Sequence, residues 1–364
     1  MKIGIATQYY RNYNYGANLQ AYALVKVCND LGHEAEQISF MNCGKFHFLL
    51  SKLKEFSLFL FKFGFSKRRK AIRQFNKLIP HSRLYFQNEL KLVDDKYDFF
   101  IVGSDQVWNP NSLNDFYKLS FVQNKPKISF SASLGRKELS DSESKEFKCF
   151  LSDYSRVSVR EHSSVALLEE ITKRKIDLTL DPTLLLSYEE WDMLSSDFSI
   201  KDDYIFCYFL NDNMQDRTIA MDYAKKEGLR IVTLPYLSYK KRICDDDFGD
   251  LRLYNITPND FISLIKNAKF VFTDSFHACV FSHIFRKDFI VFNDKNSEAG
   301  SRLETLTKMF NTSERYITSN MSINHSYLKS LPKMKSIYES DVYNKLLKNS
   351  YDYLKDLLLY DKPL

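Results

Sequence analysis

In Phe270-Val271-Phe272-Thr273-Asp274-Ser275-Phe276-His277-Ala278 an apolar run leads straight into a polar turn. A buried strand followed by Ser275 and His277 in the first turn of a helix aims unbonded backbone N–H groups and an imidazole at one point. That is chemistry for an anion, with His277 as hydrogen-bond donor or general acid. Ile101-Val102-Gly103-Ser104-Asp105-Gln106-Val107-Trp108-Asn109-Pro110 also follows a strand end. There Ser104 and Asp105 suit a base or a binder of sugar hydroxyls, with Trp108 beside them. A cap at Asp105 and a packing role for Trp108 account for the same residues equally well.

Arg160 directly follows the strand-like Val157-Ser158-Val159, and a guanidinium fork there suits carboxylate or phosphate. A surface ion pair with Glu161 is the structural alternative. Asp181 in Leu180-Asp181-Pro182-Thr183 reads as a turn cap. In Asn14-Tyr15-Gly16-Ala17-Asn18-Leu19-Gln20, Gly16 permits close backbone approach ahead of a helix N-terminus, although an ordinary turn capped by Asn18 fits better on spacing alone. The loop has neither a dinucleotide nor a phosphate-loop pattern, so no nucleotide follows from it. The run Asp245-Asp246-Asp247 lacks a calcium-loop pattern and reads as a solvated face.

The elements that must position these residues alternate between strand and helix. Strands are expected at Lys2–Thr7, Ala35–Phe40, Phe99–Val102, Ile128–Ser131, Val157–Val159 and Leu178–Leu180, with a helix from Leu19 to Leu31. A second set runs Tyr204–Leu210, Arg230–Leu234, Phe270–Thr273 and Phe289–Phe292. Its helices are Gln215–Lys226, Pro258–Asn267 capped by Thr257, and Phe276–Phe285. The expected fold class is α/β: two Rossmann-like domains facing a cleft, residues 1–190 and 191–330, with ligands beyond the carboxyl ends of the strands. Residues 331–364 form a tail whose helix, Ser340 to Tyr360, is expected to return to the first domain.

The 364 residues carry 52 Lys and Arg against 46 Asp and Glu, a formal charge of +6. Eight of the cations lie between Lys62 and Arg83 with no acid among them, so the rest of the chain is slightly acidic. Seven Phe precede or overlap this run between Phe46 and Phe65, and Leu49, Leu53, Phe56, Leu60 and Phe63 recur at helical spacing. Segment 46–83, placed by position in the first domain, therefore suits an anionic membrane surface, and equally a helix packed on the domain edge with a solvated basic face. No nucleic-acid module accompanies the charge, so nucleic acid is not an expected partner. The six cysteines are scattered without a CxxC pair, against a metal site or a disulfide framework and for a reducing compartment. With no signal-like start and no long apolar run, the expected location is cytoplasmic, with peripheral attachment to the inner face of a membrane as its extension.

Taken in order, Asn14–Gln20, Gly103–Asn109, Ser131-Ala132-Ser133-Leu134-Gly135, Val159-Arg160-Glu161, Leu180–Leu185 and Thr273–His277 resemble the polysaccharide pyruvyl transferase family. The resemblance spans roughly residues 1 to 310 and implies a GT-B-like pair of domains, acceptor side first and donor side second. It implies transfer of a pyruvyl group from phosphoenolpyruvate to two hydroxyls of a cell-surface polysaccharide precursor, the acceptor being lipid-linked in the membrane reading. Phosphoenolpyruvate is then a co-substrate, and no cofactor or metal is called for. His277 and Arg160 would be the donor-site histidine and arginine, and Asp105 the aspartate of the first domain. Asn14, Gly16, Asn18, Ser104 and Trp108 would lie on the acceptor side. Members of the family often carry Arg-Leu-His where this chain has Ser275-Phe276-His277; Arg302 is the expected replacement for the missing guanidinium. A nucleotide-sugar glycosyltransferase of GT-B type and a non-catalytic carbohydrate-binding homologue are the alternative functions.

Overall fold

The computed structural model describes residues 1–50, 63–237, 242–293, 300–318, 321 and 323–356. The chain divides into two units. The first comprises Met1–Phe61, Asn76–Leu186 and Lys345–Leu364; the second comprises Lys62–Phe75 and Ser187–Asn344.

The first unit is built on a parallel sheet in the order Glu34–Gln37, Lys2–Ala6, Phe99–Val102, Lys127–Ser129. Phe99–Val102 is an unbroken apolar tetrapeptide buried throughout, as a central parallel strand covered on both faces must be. Parallel bridges from Ile128 to Arg156 and from Ala132 to Val159 lead on to the pair Ser158–Val159 and Asp177–Leu178. Strand order reverses between Lys2–Ala6 and Phe99–Val102. Gly4 lies there because a Cβ would stand 2.8 Å from the Tyr97 ring.

The second unit has six parallel strands in the order Leu251–Arg252, Arg230–Thr233, Tyr204–Tyr208, Phe270–Thr273, Phe289–Asn293, Tyr316–Thr318, the doubly wound arrangement. Its reversal point lies between Tyr204–Tyr208 and Phe270–Thr273. The helix Pro258–Asn267 starts on a capping box: Thr257 Oγ1 accepts from Asp260 N, and Asp260 accepts from Thr257 N. The edge strands Leu251–Arg252 and Tyr316–Thr318 extend the set expected from sequence, which ended at Phe292.

Three expected boundaries move. The helix expected from Leu19 starts at Tyr15, with Asn14 rather than Asn18 as its N-cap. The basic segment does not stay with the first unit: residues 62–75 belong to the second, where Arg68 is buried and donates to the Pro235 carbonyl at 2.8 Å. Residues 331–344 also belong to the second unit, and the helix Asp341–Lys355 passes into the first from Lys345 onward. There Ser350 Oγ accepts from Leu180 N at 2.9 Å and Tyr353 OH donates to Ser129 O at 2.9 Å. Of the expected amphipathic stretch, Leu53, Phe56 and Leu60 lie outside the described residues. Among the described residues no helix is long and apolar enough to cross a membrane.

Candidate functional site

At the reversal point of the first unit the chain leaves Val102 through Gly103, whose φ is +120°. A Cβ there would stand 2.1 Å from the Phe130 carbonyl oxygen, so only glycine lets the backbone pass. Beyond it Ser104 is buried, and its carbonyl accepts from Thr7 Oγ1 at 2.9 Å. Asp105 adopts a left-handed φ of 64°, held by its carbonyl accepting from Val107 N and Ser133 N.

Arg160 collects these elements. Its buried guanidinium donates from Nη1 to Asp181 Oδ2 at 2.6 Å and to Ser104 Oγ at 3.3 Å, from Nη2 to Asp105 Oδ1 at 3.2 Å, and from Nε to Glu161 Oε1 at 3.4 Å. Burial opposes its charge, but Asp181, Asp105 and Glu161 together outweigh it and raise the Arg160 pKa. Asp181 also accepts on Oδ1 from Thr183 N at 3.0 Å and Thr183 Oγ1 at 2.6 Å. The surface ion pair with Glu161 considered from sequence is instead a wholly buried one.

The remaining first-unit candidates divide. Asn14 caps the helix by accepting from Gly16 N at 2.9 Å; Asn18 is buried and folds the loop back, its amide donating to the carbonyls of Asn12 and Asn14. Trp108 corrects the expectation of an acceptor contact. It is fully buried, its Nε1 donates to Tyr117 O at 3.2 Å, and Phe147, Phe150 and Tyr154 surround its ring edge-on. A side chain so enclosed presents nothing to a sugar.

In the second unit, Thr273 Oγ1 donates to Tyr208 O at 2.6 Å and accepts from Ser275 N at 3.0 Å, joining the two strands of the reversal point. Ser275 caps the helix Phe276–Ile284, its Oγ accepting from Ala278 N at 3.5 Å. His277 is buried in the first turn of that helix, and the Arg302 guanidinium stands 6.0 Å from the Phe276 ring centroid. The structure thus brings Ser275, Phe276, His277 and Arg302 to one end of the second sheet. Asn14, Gly16, Asn18, Ser104, Asp105 and Arg160 belong to the first unit.

Sequence reasoning missed two contributors. Asp274, quoted within the motif but given no role, accepts Leu210 N and Asn211 N at 2.7 Å each, and burial pushes its carboxyl up to about 6 against those bonds. Asp245, expected on a solvated face, accepts Arg217 Nη2 at 2.7 Å. The signal available for Asp274 was its place between a strand end and a cap; for Asp245 the pairing is non-local and left none.

A family model for polysaccharide pyruvyl transferase matches residues 14–296. The chain belongs to this family. As a family member it is a transferase of polysaccharide biosynthesis with a sugar acceptor. Among curated proteins no sequence matches. Among solved structures the chain is similar to UDP-GlcNAc 2-epimerase from Methanocaldococcus jannaschii, with 12% identity, a TM-score of 0.61, and coverage of 99% of this chain and 100% of that one. It is also similar to the S. aureus MnaA-UDP co-structure, at 14% identity, TM-score 0.56 and coverage of 98% and 94%. UDP-GlcNAc 2-epimerase from Neisseria meningitidis bound to UDP-GlcNAc gives 12% identity, TM-score 0.56 and coverage of 99% and 100%. At these identities the likeness shows the fold: two Rossmann-like domains of GT-B type.

Proposed function

We propose that the chain transfers the pyruvyl group of phosphoenolpyruvate to two hydroxyls of one sugar, forming a cyclic ketal and releasing phosphate. The observation that carries this reading is the family match over residues 14–296, which covers the first cluster and, of the second, Ser275, Phe276 and His277. The second unit is read as the donor side, where the N–H groups of the Ser275-capped helix suit the donor's charge.

In this scheme His277 protonates the methylene carbon, giving a methyl group and an oxocarbenium-like centre. One sugar hydroxyl adds, its proton taken by Asp105. The second hydroxyl displaces phosphate, which leaves carrying the remaining proton equivalent. Arg160, engaged by three carboxylates and the Ser104 hydroxyl, holds Asp105 in orientation rather than clamping the donor. No cofactor enters, and the acceptor is a polysaccharide precursor whose lipid-linked form would bring the enzyme to the inner face of a membrane.

The test is phosphate release from phosphoenolpyruvate that depends on a sugar acceptor, with mass spectrometry of the product. A mass gain equal to one pyruvate ketal is expected, and any other gain sinks the proposal. His277→Ala should lower turnover by about 10²- to 10⁴-fold while the chain stays folded; near-wild-type turnover removes His277 from the scheme. Binding of a nucleotide sugar with no response to phosphoenolpyruvate selects a glycosyltransferase. Donor binding without turnover on any acceptor selects a carbohydrate-binding homologue.

A further inference from the structure

Asn211, in the loop after Tyr204–Tyr208, is the hub of the second sheet's carboxyl end. Its N–H donates to Asp274 Oδ2 at 2.7 Å, and its carbonyl accepts from two guanidinium groups, Arg217 Nη2 at 2.9 Å and Arg242 Nη1 at 3.1 Å. The two arginines are used differently. Arg217 is fully buried and directs its other donors to Asp245 Oδ1 and the Asn213 carbonyl, so it serves the loop itself.

Arg242 is half-buried, and its guanidinium carbon lies 3.7 Å from the centroid of the Tyr236 ring. Tyr236 is in turn tied down, its N–H donating to Asp245 Oδ2 at 3.3 Å. Carbonyl and ring fix the plane of Arg242 through Nη1 and one face. Nε and Nη2, the donors of one planar edge, make no hydrogen bond to a described residue. Such an edge matches two oxygens of a carboxylate or phosphate, and a guanidinium already held by two neighbours loses little further freedom on binding them. Arg242 is linked through Asn211 to Asp274, the residue before Ser275, whose own neutral hydroxyl is engaged as a helix cap.

We propose that Arg242 is an anion ligand of the donor side, presenting its Nε/Nη2 edge to the phosphate or carboxylate of the donor. The inference rests on reading the second unit as the phosphoenolpyruvate side. Calorimetric titration of the wild-type chain, Arg242→Ala and Arg242→Lys with phosphoenolpyruvate, inorganic phosphate and pyruvate tests it, with thermal unfolding of both variants as the check on folding. Arg242→Ala should weaken phosphoenolpyruvate binding by about 10- to 100-fold, and Arg242→Lys by less, because it keeps the charge and loses the fork. Loss confined to inorganic phosphate assigns the edge to the phosphate; loss confined to pyruvate assigns it to the carboxylate. Wild-type affinity for phosphoenolpyruvate in a folded Arg242→Ala overturns the inference while leaving the donor reading in place. A wild-type chain that binds inorganic phosphate through Arg242 but not phosphoenolpyruvate supports the anion site and overturns the donor reading. A wild-type chain that binds none of the three overturns both.

Discussion

The two sheets reverse strand order in the same way and end in opposite kinds of chemistry. The first ends in an ionic knot, where one buried arginine meets three carboxylates and each of its three nitrogens donates within the protein. The second ends in a capped helix with a buried histidine, an aspartate that bridges two loops, and an arginine with one edge turned to no described residue. Equal topology therefore fixes only where a ligand can sit. What differs is whether the charges at that place answer one another or answer something else. The first knot is suited to holding Asp105 in one orientation, and the second end to receiving an anion.

Removing one partner from the first knot should have the largest effect on folding. Asp181→Ala leaves Arg160 buried with weakened compensation and strips Thr183 of its acceptor, and a loss of about 3 to 5 kcal/mol is expected in urea unfolding. A loss under about 1 kcal/mol would mean that the knot is not a rigid element of the first unit.

The second end should reveal itself through pH. The Asp274 carboxyl titrates near 6 in the folded chain against 3.8 ordinarily, so between those values the folded state keeps a proton that the unfolded state has released. Stability then falls as pH rises through that window, by about 2 to 3 kcal/mol between about pH 4 and pH 7. Asp274→Asn puts an amide against one of the two N–H groups, an offset that does not vary with pH. The difference in unfolding free energy between wild type and variant should therefore shrink as pH rises, and a constant difference would remove Asp274 as a titrating bridge.

The smallest effect on stability is expected at the basic helix Phe63–Asn76, whose Lys67, Lys70 and Arg73 are exposed while Arg68 is not. Changing Lys67, Lys70 and Arg73 to Gln should move stability by no more than about 0.5 kcal/mol per site and reduce flotation with anionic liposomes. Unchanged flotation would discard the membrane surface as a partner.

Much of this contrast was legible in the residues. Phe270–Thr273 and Pro258–Asn267 have the expected bounds because an apolar run, a Thr cap and an N1 proline act locally. Tyr316–Thr318 and Leu251–Arg252 were missed because three and two residues carry no periodicity; their pairing with Phe289–Asn293 and Arg230–Thr233 is what makes them strands. The early start of the first helix was hidden by Gly16 and Asn18, poor helix formers that local bonds to the Asn14 cap hold in the first turn. At the site, the motifs gave Asp105, Arg160 and His277 but not the partnership of Arg160 with Asp181, residues whose meeting depends on the assembled sheet. The burial of Trp108 was equally a matter of packing, decided by Phe147, Phe150 and Tyr154 further along the chain.

The passage of the last described helix into the first unit has a consequence for synthesis. Ser350 and Tyr353 supply bonds to Leu180 and Ser129, yet they are translated after the whole of the second unit. Residues 62–75, conversely, are made early and wait for partners that emerge more than a hundred residues later, Pro235 among them. Neither unit corresponds to one uninterrupted stretch of polypeptide: on the ribosome the second is incomplete until Asn344 has been made, and the first until the residues after it follow. Expression of either half as a continuous fragment would leave it lacking a piece of its own fold.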